Sequence, residues 1–196
     1  MSSAKTMPHV QDASPIEDAD VAVAEATAPI AGSPLVRMIG ELSDFSDQEP
    51  LYAATGAVIA TGLLMRDGKT IRAGTRMLAA HLLATALRGI VKQLVDRTRP
   101  DAAARDGHYH MGSGEHYERD LNSFPSGHTA GALAVAMAFS REYPNQAPAA
   151  YALASAAGIA QIMRSSHFTS DVVAGAAVGA VADIAVDRLI RMAERI

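Results

Sequence analysis

Three short groups of polar side chains interrupt a sequence otherwise rich in alanine, valine, leucine and isoleucine. The first pairs Lys92 with Arg99-Pro100 across six intervening residues. A separation of seven is close to two helical turns, so both cations can project from one helix face, and Pro100 marks a boundary at Arg99. Two cations at a helix C-terminus also simply complement the macrodipole. The second group is Asn122-Ser123-Phe124-Pro125-Ser126-Gly127-His128. Here Ser126 can cap a helix and Gly127 lets backbone N–H groups approach an anion, which a helix N-terminus attracts through its free amides and dipole. His128 adds a group that gives or takes a proton near neutrality; a capped helix start with an incidental histidine fits the same residues. The third group runs from Arg164 to Asp171 and places His167 and Asp171 four apart, neighbours if that turn is helical. A carboxylate so placed fixes the imidazole tautomer and leaves the other nitrogen nucleophilic. A structural hydrogen bond is the plainer reading of the pair.

The segments around these groups must bring them together. Five apolar stretches, 51–65, 71–95, 128–140, 147–163 and 172–190, are alanine-rich without β-branched alternation, and each reads as a helix. Leu35, Ile39 and Leu42 space a short amphipathic helix ahead of them. The expected fold is therefore all-α, a transmembrane bundle of five main apolar helices plus that short N-terminal one. In an up-and-down arrangement the end of the second main helix and the starts of the third and fifth share one end of the bundle. Cations, an anion-binding helix start and two histidines then converge. Phosphoryl transfer is the chemistry that uses such a set, because its catalysis is mostly positioning and charge stabilisation.

The 196 residues are 49% hydrophobic and 5% aromatic, with neither Cys nor Trp and a formal charge of -4. Absence of cysteine excludes disulfides, thiolate metal sites and a thiol nucleophile. The acidic balance argues against nucleic acid as a partner. Within residues 1–30, Lys5 stands against Asp12, Glu17, Asp18, Asp20 and Glu25, so the remaining chain is neutral. Residues 1–32 are expected to be a disordered acidic tail, too poor in large apolar side chains to offset its ordering entropy, with the helical domain over 33–196. The tail lacks the basic and apolar regions of a secretory signal peptide.

A mean hydropathy of +0.09 averages that tail with the apolar segments. No segment is a clean span: the first is about 15 residues, below the roughly 20 that a spanning helix needs, and the second carries Arg72, Arg76, His81, Arg88 and Lys92. Gly175 and Gly179, four apart, permit close helix contact in lipid. Charge gives the orientation. Arg66, Lys69, Arg72 and Arg76 fall on the same side as Arg188, Arg191 and Arg195, which the positive-inside rule makes cytoplasmic. The three polar groups then face the extracytoplasmic side of a multi-pass protein of the cell (inner) membrane.

Taken in order, Lys92 with Arg99-Pro100, Pro125-Ser126-Gly127-His128, and His167 with Asp171 resemble the three-part signature of the type 2 phosphatidic acid phosphatase superfamily, which also includes bacterial acid phosphatases and vanadium haloperoxidases. The motifs span residues 92–171, and the helix order matches over 51–192. The resemblance implies a metal-independent phosphatase that forms a phosphohistidine, with no cofactor. His167 would be the nucleophile, oriented by Asp171, and His128 the acid that protonates the leaving group and later activates water. Lys92, Arg99, Ser126 and the Gly127 amide would bind the phosphoryl oxygens. The substrate expected at a membrane is a phospholipid phosphate or an isoprenoid (di)phosphate. The alternatives are a soluble phosphatase or haloperoxidase-like relative, and a non-catalytic helical membrane protein.

One departure stands out. Where the family has Ser-Arg ahead of the nucleophilic histidine, this sequence has Ala160-Gln161. Arg164, one turn closer, is the expected shifted substitute as a phosphate binder. His108, His110 and His116 in the 101–123 loop could ligate Zn²⁺, but no second convincing ligand pair accompanies them, and a solvated, substrate-facing loop is the expectation. His81 is expected to be a core imidazole, while Arg88, Asp183 and Asp187 have no assigned role.

Overall fold

The computed structural model describes residues 14–114 and 118–195. Its helices are α1 (Pro15–Ala31), α2 (Pro34–Ser43), α3 (Gln48–Met65), α4 (Gly68–Leu94), α5 (Pro100–Asp106), α6 (Gly127–Glu142), α7 (Ala147–Met163) and α8 (Thr169–Ala193). Two three-residue strands, β1 (Val95–Arg97) and β2 (Met111–Ser113), pair antiparallel between α4 and α6. Each of the five apolar segments is a helix, and the alanine-rich pattern that marked them also sets their packing. Ala80 and Ala84 of α4, Ala134 and Ala138 of α6 and Ala182 of α8 form a buried core in which small side chains let the helices come close.

Two glycines take that closeness furthest. A Cβ at Gly175 would overlap the carbonyl oxygen of Ser126, and one at Gly179 would overlap that of Ala130. Helix α8 thus lies directly on the backbone of α6, as the four-residue glycine spacing predicts, and the starts of both helices are held together. At the opposite end Arg141 grips Asp183 and Asp187, while Arg76 bridges Asp187 and Glu142. These ion pairs give Asp183 and Asp187 of α8 a structural role in joining α4, α6 and α8.

Two expectations are corrected. Residues 15–31 are not a disordered tail: Ser14 and Glu17 form a reciprocal capping box, with Glu17 Oε2 accepting from the Ser14 amide at 2.9 Å, and α1 packs on α7 and α8. A buried ion pair described below supplies order that hydrophobicity alone does not register. Residues 1–13 lie outside the described residues. Secondly, Lys92 and Arg99 do not share a helix face, because α4 stops at Leu94 and β1 carries the chain to Arg99, the residue preceding α5. The expected short helix ahead of the main segments is α2, which buries Val36, Gly40 and Ser43 and leaves Leu35 and Leu42 exposed.

Among the described residues no helix is both long and apolar enough to cross a membrane. With 27 residues α4 is about 40 Å long, but Arg72, Arg76, Arg88 and Lys92 interrupt its apolar character.

Candidate active site

His167 sits in the turn between α7 and α8, where its amide and that of Ser166 both donate to the Gln161 carbonyl at 3.2 and 3.0 Å. It precedes the helix, so its approach to Asp171 comes from the turn and not from a shared helical face. Asp171, the third residue of α8, is fully buried. Its Oδ2 accepts from Ser123 Oγ at 2.6 Å and from the Phe168 amide at 2.9 Å, and its Oδ1 accepts from Arg97 Nη1 at 2.6 Å. The Nδ1 of His167 stands 3.8 Å from Oδ2, beyond hydrogen-bond range, and has no hydrogen-bond partner among the described residues. Burial pushes the His167 imidazole down to about 4, against the opposing pull of Asp171. The ring is neutral at physiological pH, the form a nucleophile requires.

The cations converge through backbone carbonyls. Lys92 Nζ donates to the Asn122 carbonyl at 2.8 Å and to Asn122 Oδ1 at 2.7 Å. Arg99 reaches the same carbonyl at 3.3 Å through Nη2 and the Ser166 carbonyl, beside His167, at 3.2 Å through Nη1. The start of α6 joins them: the Ser126 amide donates to the Asp171 carbonyl at 3.0 Å, and Ser126 Oγ accepts from Thr129. Thus Lys92, Arg99, Ser126, Gly127, His167 and Asp171 occupy one end of the bundle. His128 follows in the first turn of α6, with Nε2 buried and 3.8 Å from Asp44 Oδ1.

Arg164 departs from expectation. Its Nη1 pairs with Asp44 Oδ1 at 2.6 Å and donates to the Gly40 carbonyl at 3.2 Å. Gln161 is buried and turned the same way, donating to Ser43 Oγ at 3.1 Å. Both side chains anchor the end of α2, and the Asp44 oxygen that pairs with Arg164 also lies 3.8 Å from His128 Nε2. The carboxylate explains the departure: Asp44 offers Arg164 a charge-assisted bond at the place where the side chain emerges.

Two residues of the site had no mark in the sequence. Arg97 is 1% exposed and donates to Asp171, to Ser170 Oγ at 2.6 Å, to Asp20 Oδ2 at 2.8 Å, and through Nε to the Tyr109 hydroxyl at 3.1 Å. Asp20, on α1, also accepts from the Ser170 amide at 2.9 Å and from the Ser170 hydroxyl. Burial opposes the charge of Arg97, but Asp171 and Asp20 more than offset it and raise its pKa. Three residues of β1, of which Asp96 and Arg97 are both buried, give no alternation to mark Arg97, and a lone Asp in an acidic segment gives no signal either. The 101–123 loop folds into α5, β2 and a short 3-10 turn, Arg119–Leu121. His116 lies outside the described residues.

Residues 73–195 match the model of the PAP2 superfamily. A lipid A 1-phosphatase of Porphyromonas gingivalis is 38% identical over 112 residues, which are 53% of this chain and 22% of that protein. The chain spans about a fifth of that relative's length. A lipid A 1-phosphatase of Rhizobium johnstonii is 30% identical over 178 residues, 83% of this chain and 69% of that one. In structure, Aquifex aeolicus LpxE superposes with a TM-score of 0.64 at 20% identity, over 91% of this chain and 98% of its own. A transmembrane PAP2 type phosphatidylglycerolphosphate phosphatase from Bacillus subtilis gives 0.67 at 22%, over 92% and 89%. Those two likenesses concern the fold.

Proposed function

This chain belongs to the PAP2 superfamily, and we propose that it is a metal-independent phosphatase acting on a lipid phosphate or isoprenoid (di)phosphate at a membrane. The observation that carries this reading is the buried, neutral His167 beside Asp171, at the bundle end where Lys92, Arg99 and the start of α6 also converge.

With Nδ1 turned to Asp171, Nε2 of His167 is the attacking atom. It forms a bond to phosphorus as the phosphorus–oxygen bond to the lipid breaks, and protonated His128 gives its proton to the leaving oxygen. His128, now neutral, takes a proton from water. That water attacks the phosphohistidine, the phosphorus–nitrogen bond breaks, and orthophosphate leaves with His167 restored. Lys92, Arg99, Ser126 and the Gly127 amide offset charge on the transferring group. Asp171 closes on Nδ1 as positive charge develops there, a tightening common between free and substrate-bound enzymes.

Two features support an amphiphilic substrate. A cavity of about 800 Å³, lined by Ile39, Leu42, Phe45, Val135, Leu153 and Met163, lies beside the turn that carries Asp44 next to His128. Its apolar wall suits an acyl or prenyl chain. The helix surfaces also expose large apolar side chains, among them Leu64, Leu153, Leu189 and Met192, as a lipid-facing surface would. The basic α3–α4 turn and C-terminus orient the site to the extracytoplasmic side.

The test is phosphate release by the full chain in detergent from phosphatidic acid, phosphatidylglycerol phosphate, an isoprenoid diphosphate and lipid A, the last because two relatives carry that name. Release from at least one, abolished in His167→Ala, is the expected result. No release from any of them, or equal release from the variant, would overturn the reading.

A further inference from the structure

Arg88 has no assigned role, yet its position is specific. It lies one turn before Lys92 on α4, so the two cations are neighbours on one face. Its guanidinium packs on Gly127: a Cβ there would overlap Nη1 and come within 3.2 Å of both Cδ and Cζ. The glycine that opens α6 thus leaves room for the Arg88 guanidinium as well as for an approaching anion. The Nε of Arg88 is buried and has no hydrogen-bond partner among the described residues.

Other arginines of the bundle are compensated. Arg97 has Asp20 and Asp171, Arg164 has Asp44, and Arg76 and Arg141 have Asp187. Arg99 spends its donors on carbonyls. Like charges one turn apart destabilise a helix, and a desolvated guanidinium with no hydrogen-bonded carboxylate is costly, an effect that the more distant Asp47 offsets only in part. Both costs fall when a phosphate dianion sits between Arg88, Lys92 and the first amides of α6. The family clamp expected at the Gln161 position is missing, and Arg164 is paired with Asp44.

We propose that Arg88 is a phosphate-binding residue of this site and supplies, from α4, the guanidinium that Gln161 does not. The proposal rests on the phosphatase reading for its catalytic consequence, but phosphate binding tests it alone. Arg88 donates from Nη1 and Nε to phosphoryl oxygens beside Gly127. Its planar fork can hold two oxygens at once, which Lys92 cannot.

The experiment compares wild type, Arg88→Ala, Arg88→Gln and Arg164→Ala, each as the full chain in detergent. Calorimetry follows binding of inorganic phosphate, a second arm follows hydrolysis of dioctanoyl phosphatidic acid, and thermal unfolding checks each fold. Phosphate affinity should fall about tenfold or more in both Arg88 variants, the equivalent of one charge-assisted contact, and change less than about threefold in Arg164→Ala. The kcat/KM for the lipid should fall on the order of 10²-fold in Arg88→Ala, with partial recovery on adding guanidinium ion. If Arg88→Ala does not fold, Arg88→Gln, which keeps most of the stem, carries the comparison. Wild-type phosphate affinity in a folded Arg88 variant would overturn the proposal, whatever the lipid arm reads. A wild type that binds phosphate through Arg88 yet hydrolyses nothing would sink the phosphatase reading while leaving Arg88 as an anion ligand.

Discussion

Asp171 is committed on both oxygens before His167 is counted, and its strongest partner is a residue outside the motif pattern. Removing Arg97 would leave Asp171 and Asp20 buried without a counter-charge, a change that typically costs about 3–5 kcal/mol. Arg97→Ala should lower the urea midpoint accordingly, while Arg105→Ala, on an exposed pair, should move it little. The imidazole of His167 gives a pH dependence with a definite sign. In the folded chain it protonates near 4, in the unfolded chain near the ordinary 6.5, so the unfolded state takes up the proton first. Its contribution to stability is therefore present above about pH 6.5 and lost as the pH falls towards 4. Denaturant midpoints at pH 7 and pH 5 should differ more for wild type than for His167→Gln; equal differences would assign the acid sensitivity to other groups. At this scale His128, His167, Asp171, Lys92 and Arg99 were legible because their spacings form an ordered set. Arg97 lies between two of them in sequence, and only the strand that replaces the end of the expected helix turns it inward. Asp20 meets it from 77 residues away, a contact that no local pattern encodes.

The helices were legible where alanine and apolar residues dominate, and least so where a few polar contacts decide. The five main segments differ from the observed helices by at most three residues at an end, since caps such as Asp67 at the start of α4 and Asp47 at the start of α3 lie just outside the apolar stretch and Val95 passes to β1. The β1–β2 hairpin is three residues per strand, too short for any alternation to register. Helix α1 was missed because its order comes from a capping box and a buried carboxylate. The α6–α8 contact is the element on which the site depends most, since it sets where the Ser126 amide meets Asp171. Gly179→Ala places a methyl group against the Ala130 carbonyl and should cost about 1–3 kcal/mol. The same change at the exposed Gly32, where a Cβ meets nothing within 4 Å, should be neutral or slightly stabilising. Thermal unfolding of the two variants checks the contrast.

At the scale of the molecule the chain is polarised. One end gathers groups suited to phosphate, the other is tied by arginine–carboxylate pairs, and between them the surface carries exposed leucines and methionines. If lipid covers that surface, the full chain should remain in the membrane pellet after alkaline carbonate washing and leave it only in detergent; release by carbonate alone would count against the embedded reading. The hydropathy average hid this because the acidic N-terminal segment and the charged helix ends cancel the apolar middle. The contact between Asp20 and Arg97 has a consequence for modularity. The family match begins at residue 73, yet a carboxylate from α1 completes the arginine that holds Asp171. A chimera that grafted residues 73–195 onto a foreign scaffold would inherit both histidines, Lys92, Arg99 and Asp171, but not the acid against which Arg97 is braced. Residues 15–31 travel with the family-matching half, or the host must furnish a carboxylate in their place.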